Sequence, residues 1–360
     1  LEVKQSELNT VYFQKNVHAN RSLGATEIST EFGQVNSGSF DEKISIAQAF
    51  QFPVVYKRQK ALNEQLIKTS QSNELLTKKE VKQRLAMLYV AMQNLDAQAE
   101  LLKENQAIYQ QFLEKANLRL KKGETNRSEV PTAIIQLKSI ENQLKLAQAE
   151  LDNSARQMQY LTNAESKIYP LKEAINWATL EDNNTVSNEH PLLKLAEETI
   201  ATSNLEVEVE KSKKSPTLSV GYSNQSFSDL DNNRYNSFQV GLQLPLFNKG
   251  INSSLEASRV KVDLAKQAYQ IQAAKMQQEY DVFRNQLTTY EEVVNDYEKS
   301  QLPAAADLQK TINRQLLEGE INFLDWVIMN NQIIEVKTNY LQAKAQREQA
   351  FASIAYYTKD

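Results

Sequence analysis

Leu255, Val262, Tyr269, Met276, Phe283, Tyr290 and Tyr297 stand seven residues apart in the stretch from Asn248 to Leu317. Ala273, Tyr280, Leu287 and Val294 fall between them, so apolar side chains recur at alternating steps of four and three. That is the spacing of a supercoiled helix. A strict seven-residue period drifts against a straight helix of about 3.6 residues per turn, so this helix winds left-handed around partners. Roughly 70 residues at about 1.5 Å each make a rod of about 100 Å, longer than any single globular core. The stretch belongs to a bundle or a tube.

Working outward, Gly319 stops this helix and a last one runs over 323–357. Upstream of Pro245, Leu218, Val220 and Tyr222, then Phe238, Val240, Leu242 and Leu244, occupy alternate positions around the loop Asp229–Asn233. They predict a β-hairpin over 217–245. The pattern has an earlier copy. Thr26, Ile28, Thr30 and Phe32, then Ile44, Ile46, Phe50 and Phe52, alternate with polar or small residues around the turn Val35-Asn36-Ser37-Gly38-Ser39. They predict a hairpin over 25–52, ended by Pro53. A helix over 54–122 carries Val81, Leu88, Leu95, Leu102, Tyr109 and Ala116 at sevens, and Gly123 stops it as a C-cap glycine does. A return helix over 127–163 carries Val130, Leu137, Leu144, Leu151 and Met158; Pro131 is tolerated in its first turn, where backbone donors lack intrahelical partners. Residues 1–18 read as the end of a helix, and Pro191 to about Lys213 as another, broken at Pro216. Over 164–190 the periodicity fails, and Pro170, Trp177 and Glu181-Asp182-Asn183-Asn184 predict a compact connection.

The chain is an internal duplication. Phe50-Gln51-Phe52-Pro53 lies over Leu242-Gln243-Leu244-Pro245, 192 residues on, and Gly123-Glu124-Thr125-Asn126 over Gly319-Glu320-Ile321-Asn322, 196 residues on. The expected division is a first repeat over 1–163, a connection over 164–190 and a second repeat over 191–360, whose long helix spans 248–317. The fold class is mainly α with a small β part: long antiparallel coiled-coil hairpins plus four amphipathic strands.

Composition excludes much. Only 8 Gly and 7 Pro suit long uninterrupted helices, and a net charge of -4 argues against nucleic acid, whose phosphates demand a basic surface. With 0 Cys there is no disulfide, thiolate metal site or thiol nucleophile. No apolar run reaches transmembrane-helix length. The chain opens inside a helix at Leu1, which predicts a processed or trimmed piece of something longer. No Ser-His-Asp set, phosphate-binding Gly loop or paired carboxylate pocket is visible, so no catalytic residue, cofactor or enzymatic activity is expected. His18 and His190 lie far apart in the expected fold, and Met87, Met92, Met158, Met276 and Met329 are scattered over seams. Core packing explains them better than a soft-metal site.

Four strands cannot close a barrel. If their apolar faces meet lipid, several chains must pool strands so that no open edge remains in hydrocarbon. The polar faces, with Glu27, Ser29, Glu31, Ser45, Gln51, Gln239 and Gln243, then line a wet lumen. A mean hydropathy of -0.56 suits helices with polar faces toward both lumen and exterior.

Gly319-Glu320-Ile321-Asn322-Phe323-Leu324-Asp325, with Ala343, Ala345 and Tyr356 beyond it and Gln243-Leu244-Pro245-Leu246-Phe247 at strand exit, resembles the TolC family of outer-membrane efflux channels over the whole chain. Gly33-Gln34-Val35-Asn36-Ser37 and Ile44-Ser45-Ile46-Ala47-Gln48 resemble its heavy-metal resistance-nodulation-division (RND) branch, the CusC- and CzcC-like channels, some of which are fused to the pump. The resemblance implies a homotrimer, an α/β barrel with strands in outer-membrane lipid and a long periplasmic tunnel. It further implies a periplasmic adaptor, an inner-membrane RND transporter, and passive conduction of heavy-metal cations or, alternatively, drugs and other small molecules. Many metal-branch channels carry a lipidated N-terminal Cys, which this sequence lacks.

The two turns are the candidate docking end, through Gly123, Glu124, Asn126, Gly319, Glu320 and Asn322. Asn126-Arg127-Ser128-Glu129 and Asn322-Phe323-Leu324-Asp325 each fit an N-cap with an acid three positions on. Capping alone accounts for that spacing. The resemblance adds an aperture ring at Asp325, with Glu129, Glu320 and Glu124 as further candidates. Ile321 and Ile328 replace the family's charged latch partners, so an ionic latch is not carried over. Pro303, inside the second long helix and without a counterpart near Lys103, should kink or loosen it. The competing reading is a periplasmic coiled-coil adaptor or structural interaction protein. An adaptor has one helical hairpin, whereas this chain repeats two and pairs amphipathic strands.

Overall fold

The computed structural model describes residues 1–19, 24–34, 38–123, 127–171, 185–229 and 233–358. Glu124 and Asn126, the turn residues Val35-Asn36-Ser37, Trp177 and the run 181–184 lie outside them, as does the side chain of His18. In chain order the elements are α1 (Glu2–Ala19), β1 (Glu27–Gly33), β2 (Asp41–Gln51), α2 (Pro53–Lys122), α3 (Glu129–Thr162), α4 (Pro191–Ser212), β3 (Thr217–Ser226), β4 (Arg234–Gln243) and α5 (Lys249–Asp296). A π turn (Tyr297–Gln301), α6 (Leu302–Glu318) and α7 (Phe323–Tyr357) complete the chain. The expected class, mainly helical with a small antiparallel sheet, is the observed one.

The chain divides into two compact units, each drawing on both halves. The sheet unit holds Glu2–Thr77 and Pro191–Ala274; the turn unit holds Lys78–His190 and Lys275–Asp360, with Leu1.

In the sheet unit the strands run in the order β1-β2-β3-β4, each antiparallel to the next. Register aligns whole rows of like residues. Ile28, Ile46, Tyr222 and Phe238 form one apolar row across all four strands, and Ser29, Ser45, Ser223 and Ser237 form the adjoining polar row. The Ser223 and Ser237 hydroxyls lie 2.7 Å apart. Exposure is inverted relative to a sheet that covers a core. Ile44, Ile46, Leu218, Val220 and Tyr222 are exposed, while Ser45, Ala47, Ser219 and Gly221 are half-buried. The helices of this unit join through polar contacts: Thr10 Oγ1 to Ser70 Oγ at 3.1 Å, Thr69 Oγ1 to Thr202 Oγ1 at 2.9 Å, and Arg58 to Glu208 at 3.1 Å.

In the turn unit α2 packs antiparallel to α7. Lys79 Nζ donates to the Thr358 carbonyl at 2.9 Å, Ser353 Oγ meets Met87 Sδ at 3.7 Å, and Tyr109 OH donates to Asn331 Oδ1 at 3.1 Å. The pair ends where the Phe112 ring stacks on Phe323, centroids 3.4 Å apart. Trp326 packs on both rings and meets Tyr109 edge-on at 5.6 Å, and its Nε1 donates to Asn313 Oδ1 at 2.9 Å. Ala116, Ala133, Leu137, Ile140, Ala305, Ile312, Val327 and Ile333 complete this core. Asp152, which takes Lys167, Tyr169 OH at 3.0 Å and Arg156 Nε at 3.1 Å, fastens the segment after α3 back onto it. Those donors, Lys167 first, hold the Asp152 carboxyl down at about 2.

The second long helix is not regular throughout. Pro303 has no N–H to give and its ring would meet the carbonyl four residues back. The helix widens just before it, and the Leu302 N–H reaches the Tyr297 carbonyl. A π turn takes one extra residue, and the seam records it. The buried Leu255, Val262 and Met276 keep one seven-residue phase, whereas the buried Ala305 and Ile312 keep a phase one residue later. The loosening expected from Pro303 is therefore a one-residue slip.

Trp326 sits where all four helices of the turn unit's aromatic core meet. Trp326→Ala should cost about 3–5 kcal/mol, the range for an aromatic removed from a packed core. Thermal unfolding of the purified protein checks this, and an unchanged midpoint would refute the packing assignment.

Candidate functional site

Two surfaces carry the candidate residues. The first is the polar face of the sheet. Register puts Glu27, Ala47, Gly221 and Gln239 in one row and Gln51, Thr217 and Gln243 in another. Glu31 stands opposite Lys43, with Oε1 and Nζ 3.4 Å apart. The five residues Glu27, Glu31, Gln51, Gln239 and Gln243 thus share one face, opposite the apolar rows. Among the described residues β1 pairs only with β2 and β4 only with β3, so each presents an edge.

The second surface is the end of the turn unit. Gly319 closes α6 at φ 78°, its N–H reaching Leu316 and the Glu320 N–H reaching Gln315 at 2.8 Å, a Schellman closure. Gly123 closes α2 at φ 72° with its N–H on Leu120 at 3.1 Å. A Cβ at either glycine would meet nothing within 4 Å, so what demands glycine is the left-handed backbone and not crowding. From the level of the Phe112–Phe323 stack, α2 runs on from Leu113 to Lys122, about 15 Å at 1.5 Å per residue. The first turn therefore stands beyond the start of α7.

The expected cap at Asn322 is present. Its Oδ1 accepts the Asp325 N–H at 3.0 Å, and its Nδ2 donates to Asp325 Oδ2 at 2.7 Å. The acid thus answers the cap's side-chain amide, not the backbone donor that a capping box ordinarily uses. Asp325 and Glu320 are exposed. The first turn differs. α3 begins at Glu129, preceded by Ser128 in helical conformation without a side-chain cap bond. Glu129 is buried, 3.9 Å from Arg119, and so stands apart from the exposed acids of the second turn. Ile321 is half-buried and Ile328 exposed.

Sequence reading missed the polar chain behind the second turn. Gln309 donates to Asn330 Oδ1 at 3.0 Å, fully buried Asn330 donates to Tyr109 OH at 3.4 Å, and burial raises the Tyr109 phenol. It also missed the brace across the π turn. Tyr340 OH donates to Glu298 Oε1 at 2.9 Å, and burial together with that carboxylate pushes the phenol up to about 12. The available signal was the pairing of aromatics three residues apart, Tyr109 with Phe112 and Phe323 with Trp326, beside the Gly turns. His190 is buried, Nε2 2.8 Å from the Tyr356 carbonyl, in keeping with a packing role. Among the described residues no cluster of His, Cys, Asp or Glu suits a metal ion, and no helix is long and apolar enough to cross a membrane.

Residues 184–358 match the family described as outer membrane efflux protein. Over nearly the whole chain the fold matches that of solved outer-membrane channels. CusC superposes with a TM-score of 0.79 at 17% identity, covering 99% of this chain and 88% of that one. The Campylobacter jejuni CmeC outer membrane channel gives 0.82 at 15% identity, covering 98% and 82%. The open state of the Neisseria gonorrhoeae MtrE outer membrane channel gives 0.75 at 13% identity, covering 99% and 85%. No curated protein matches the sequence.

Proposed function

We propose that the chain is the exit duct of a tripartite RND efflux system, a homotrimer in the outer membrane that conducts heavy-metal cations passively from the periplasm. The observation that carries this is the outward apolar face of a four-stranded sheet with two edges. In hydrocarbon each unpaired backbone group would cost several kcal/mol, so β1 of one copy must pair with β4 of the next. The faces bearing Glu27, Glu31, Gln51, Gln239 and Gln243 then line the lumen.

The turns at Gly123 and Gly319 are the docking end for an adaptor or pump, with Glu124, Asn126, Glu320 and Asn322 in the contact. The first turn offers Lys121, Lys122 and Arg127, all exposed, and the second Glu318, Glu320 and Asp325. A partner therefore meets basic and acidic ends alternately. Metal as cargo is supported by the sequence resemblance at 33–37 and 44–48, and drugs are the alternative. The repeat division over 1–163, 164–190 and 191–360 is the matching proposal for how the duct arose.

Mass measurement of the purified protein in detergent should return a trimer; a stable monomer with its own strands closed would refute the assembly. In a strain lacking the gene, the parent chain should restore growth on heavy-metal salts. Gly123→Val with Gly319→Val should not restore it, although the trimer persists. Restored growth would refute docking at the turns, and no metal sensitivity in the gene-deleted strain would refute the cargo.

Asp325 at a constriction would ring it with three carboxylates and favour cations. Asp325→Asn keeps the shape and much of the capping, so stability should fall by less than about 1 kcal/mol. Single-channel recordings should show reduced cation selectivity and weaker block by multivalent cations. Unchanged values would leave Asp325 a cap alone.

A further inference from the structure

We propose that the rim where the sheet joins its helices binds anionic phospholipid; this rests on the membrane reading above. Register puts Gln51, Thr217 and Gln243 in one row, so Phe52, Pro216 and Leu244 step off the sheet together. Around that row Phe247 is 97% and Leu246 76% exposed, continuing the exposed apolar face of β4, and Phe52 is exposed as well. Lys57, Lys214 and Lys249 are exposed on the three adjoining segments. Residues 52–60, 213–216 and 244–255 contain no Asp or Glu. The two other cations nearest the row are engaged internally, Arg58 with Glu208 at 3.1 Å and Lys213 with Glu210 at 2.5 Å.

The opposite end of the sheet has the contrary sign. Asp41 accepts the Ser228 N–H at 2.8 Å, Asp229 accepts the Gly38 N–H at 2.7 Å, and Glu42 stands beside them, paired with Arg234 at 3.3 Å, so acids still outnumber the cations among these groups. Phosphate-bearing headgroups are therefore favoured at one rim only. There, Leu246 and Phe247 enter the boundary between headgroups and acyl chains while the lysine ammoniums reach the phosphates. The two repeats differ at this point. After Pro53 the chain is helical at once, and Val54 and Val55 are half-buried; after Pro245 it stays out of helix until Lys249. Starting a helix does not need those four residues, and they carry the two most exposed apolar side chains of the rim.

The test uses the full chain in nanodiscs of phosphatidylcholine alone or mixed with phosphatidylglycerol. Phe247→Trp emission, read against the two native Trp, should be quenched by lipid brominated near the headgroup. Native mass spectrometry should find phosphatidylglycerol retained over phosphatidylcholine. Each of Lys57→Gln, Lys214→Gln and Lys249→Gln should lower that preference about fivefold, the equivalent of roughly 1 kcal/mol per basic residue at an anionic surface. Lys→Arg at the same positions should keep it. Phe238→Trp, on the apolar face, is the control. If it escapes quenching by acyl-brominated lipid, the membrane reading falls and the proposal with it. If Phe238→Trp is quenched but Phe247→Trp is not, a neighbouring copy covers the rim and the proposal alone is overturned. Equal retention of the two lipids, or a preference indifferent to the Gln variants, overturns it too.

Discussion

The face-to-face contact between Phe112 and Phe323 fixes where the end of the turn unit lies. α2 and α7 run antiparallel, so one contact sets the level of every other along them. Lys79 must then meet Thr358, Met87 must meet Ser353, and Tyr109 must meet Asn331. The stack is worth more than its area, because Trp326 packs against both rings while its own N–H is satisfied by Asn313. The same level decides which charges project. Lys121 and Lys122 lie on the part of α2 beyond the stack, whereas Asp325 lies in the first turn of α7 beside it.

The sheet obeys a different constraint. Its side chains are sorted into rows by register, and the sorting is complete enough that a row of four serines adjoins a row of Ile28, Ile46, Tyr222 and Phe238. A one-residue slip of any strand would put hydroxyls among the apolar side chains and exchange the two faces. Gly241 reinforces the register, since a side chain there would come within 2.5 Å of Ser219 Oγ. The helices need no such sorting. In the sheet unit they meet through Ser, Thr and Gln contacts beside the apolar cluster of Val207, Leu255 and Val262, and in the turn unit largely through aromatics.

Most of this was legible because it is periodic. Spacing by two gave the strands, spacing by seven gave the long helices, and positive-φ glycines gave the turns at Gly123 and Gly319. The cap at Asn322 was legible for the same reason, as a local pattern with a local cause. What periodicity does not encode is which seam meets which. The α2–α7 pairing, the buried Asn330 and the Tyr340–Glu298 contact join residues that are between 21 and 279 positions apart. Glu129 shows the limit at a single residue. Its spacing matches that of Asp325, yet it lies buried beside Arg119 because the first turn closes differently from the second.

The π turn before Pro303 has a consequence for how this helix can change. Its seam is out of step by one residue on the two sides, so the irregularity is set by the number of residues between Asp296 and Leu302 and not by their kind. Exchanging Pro303 for another residue would return an N–H but leave the surplus residue to be housed somewhere. Only a deletion would let Met276 and Ile312 share one phase. Such a helix varies by insertion and loss, and its history should be sought in lengths.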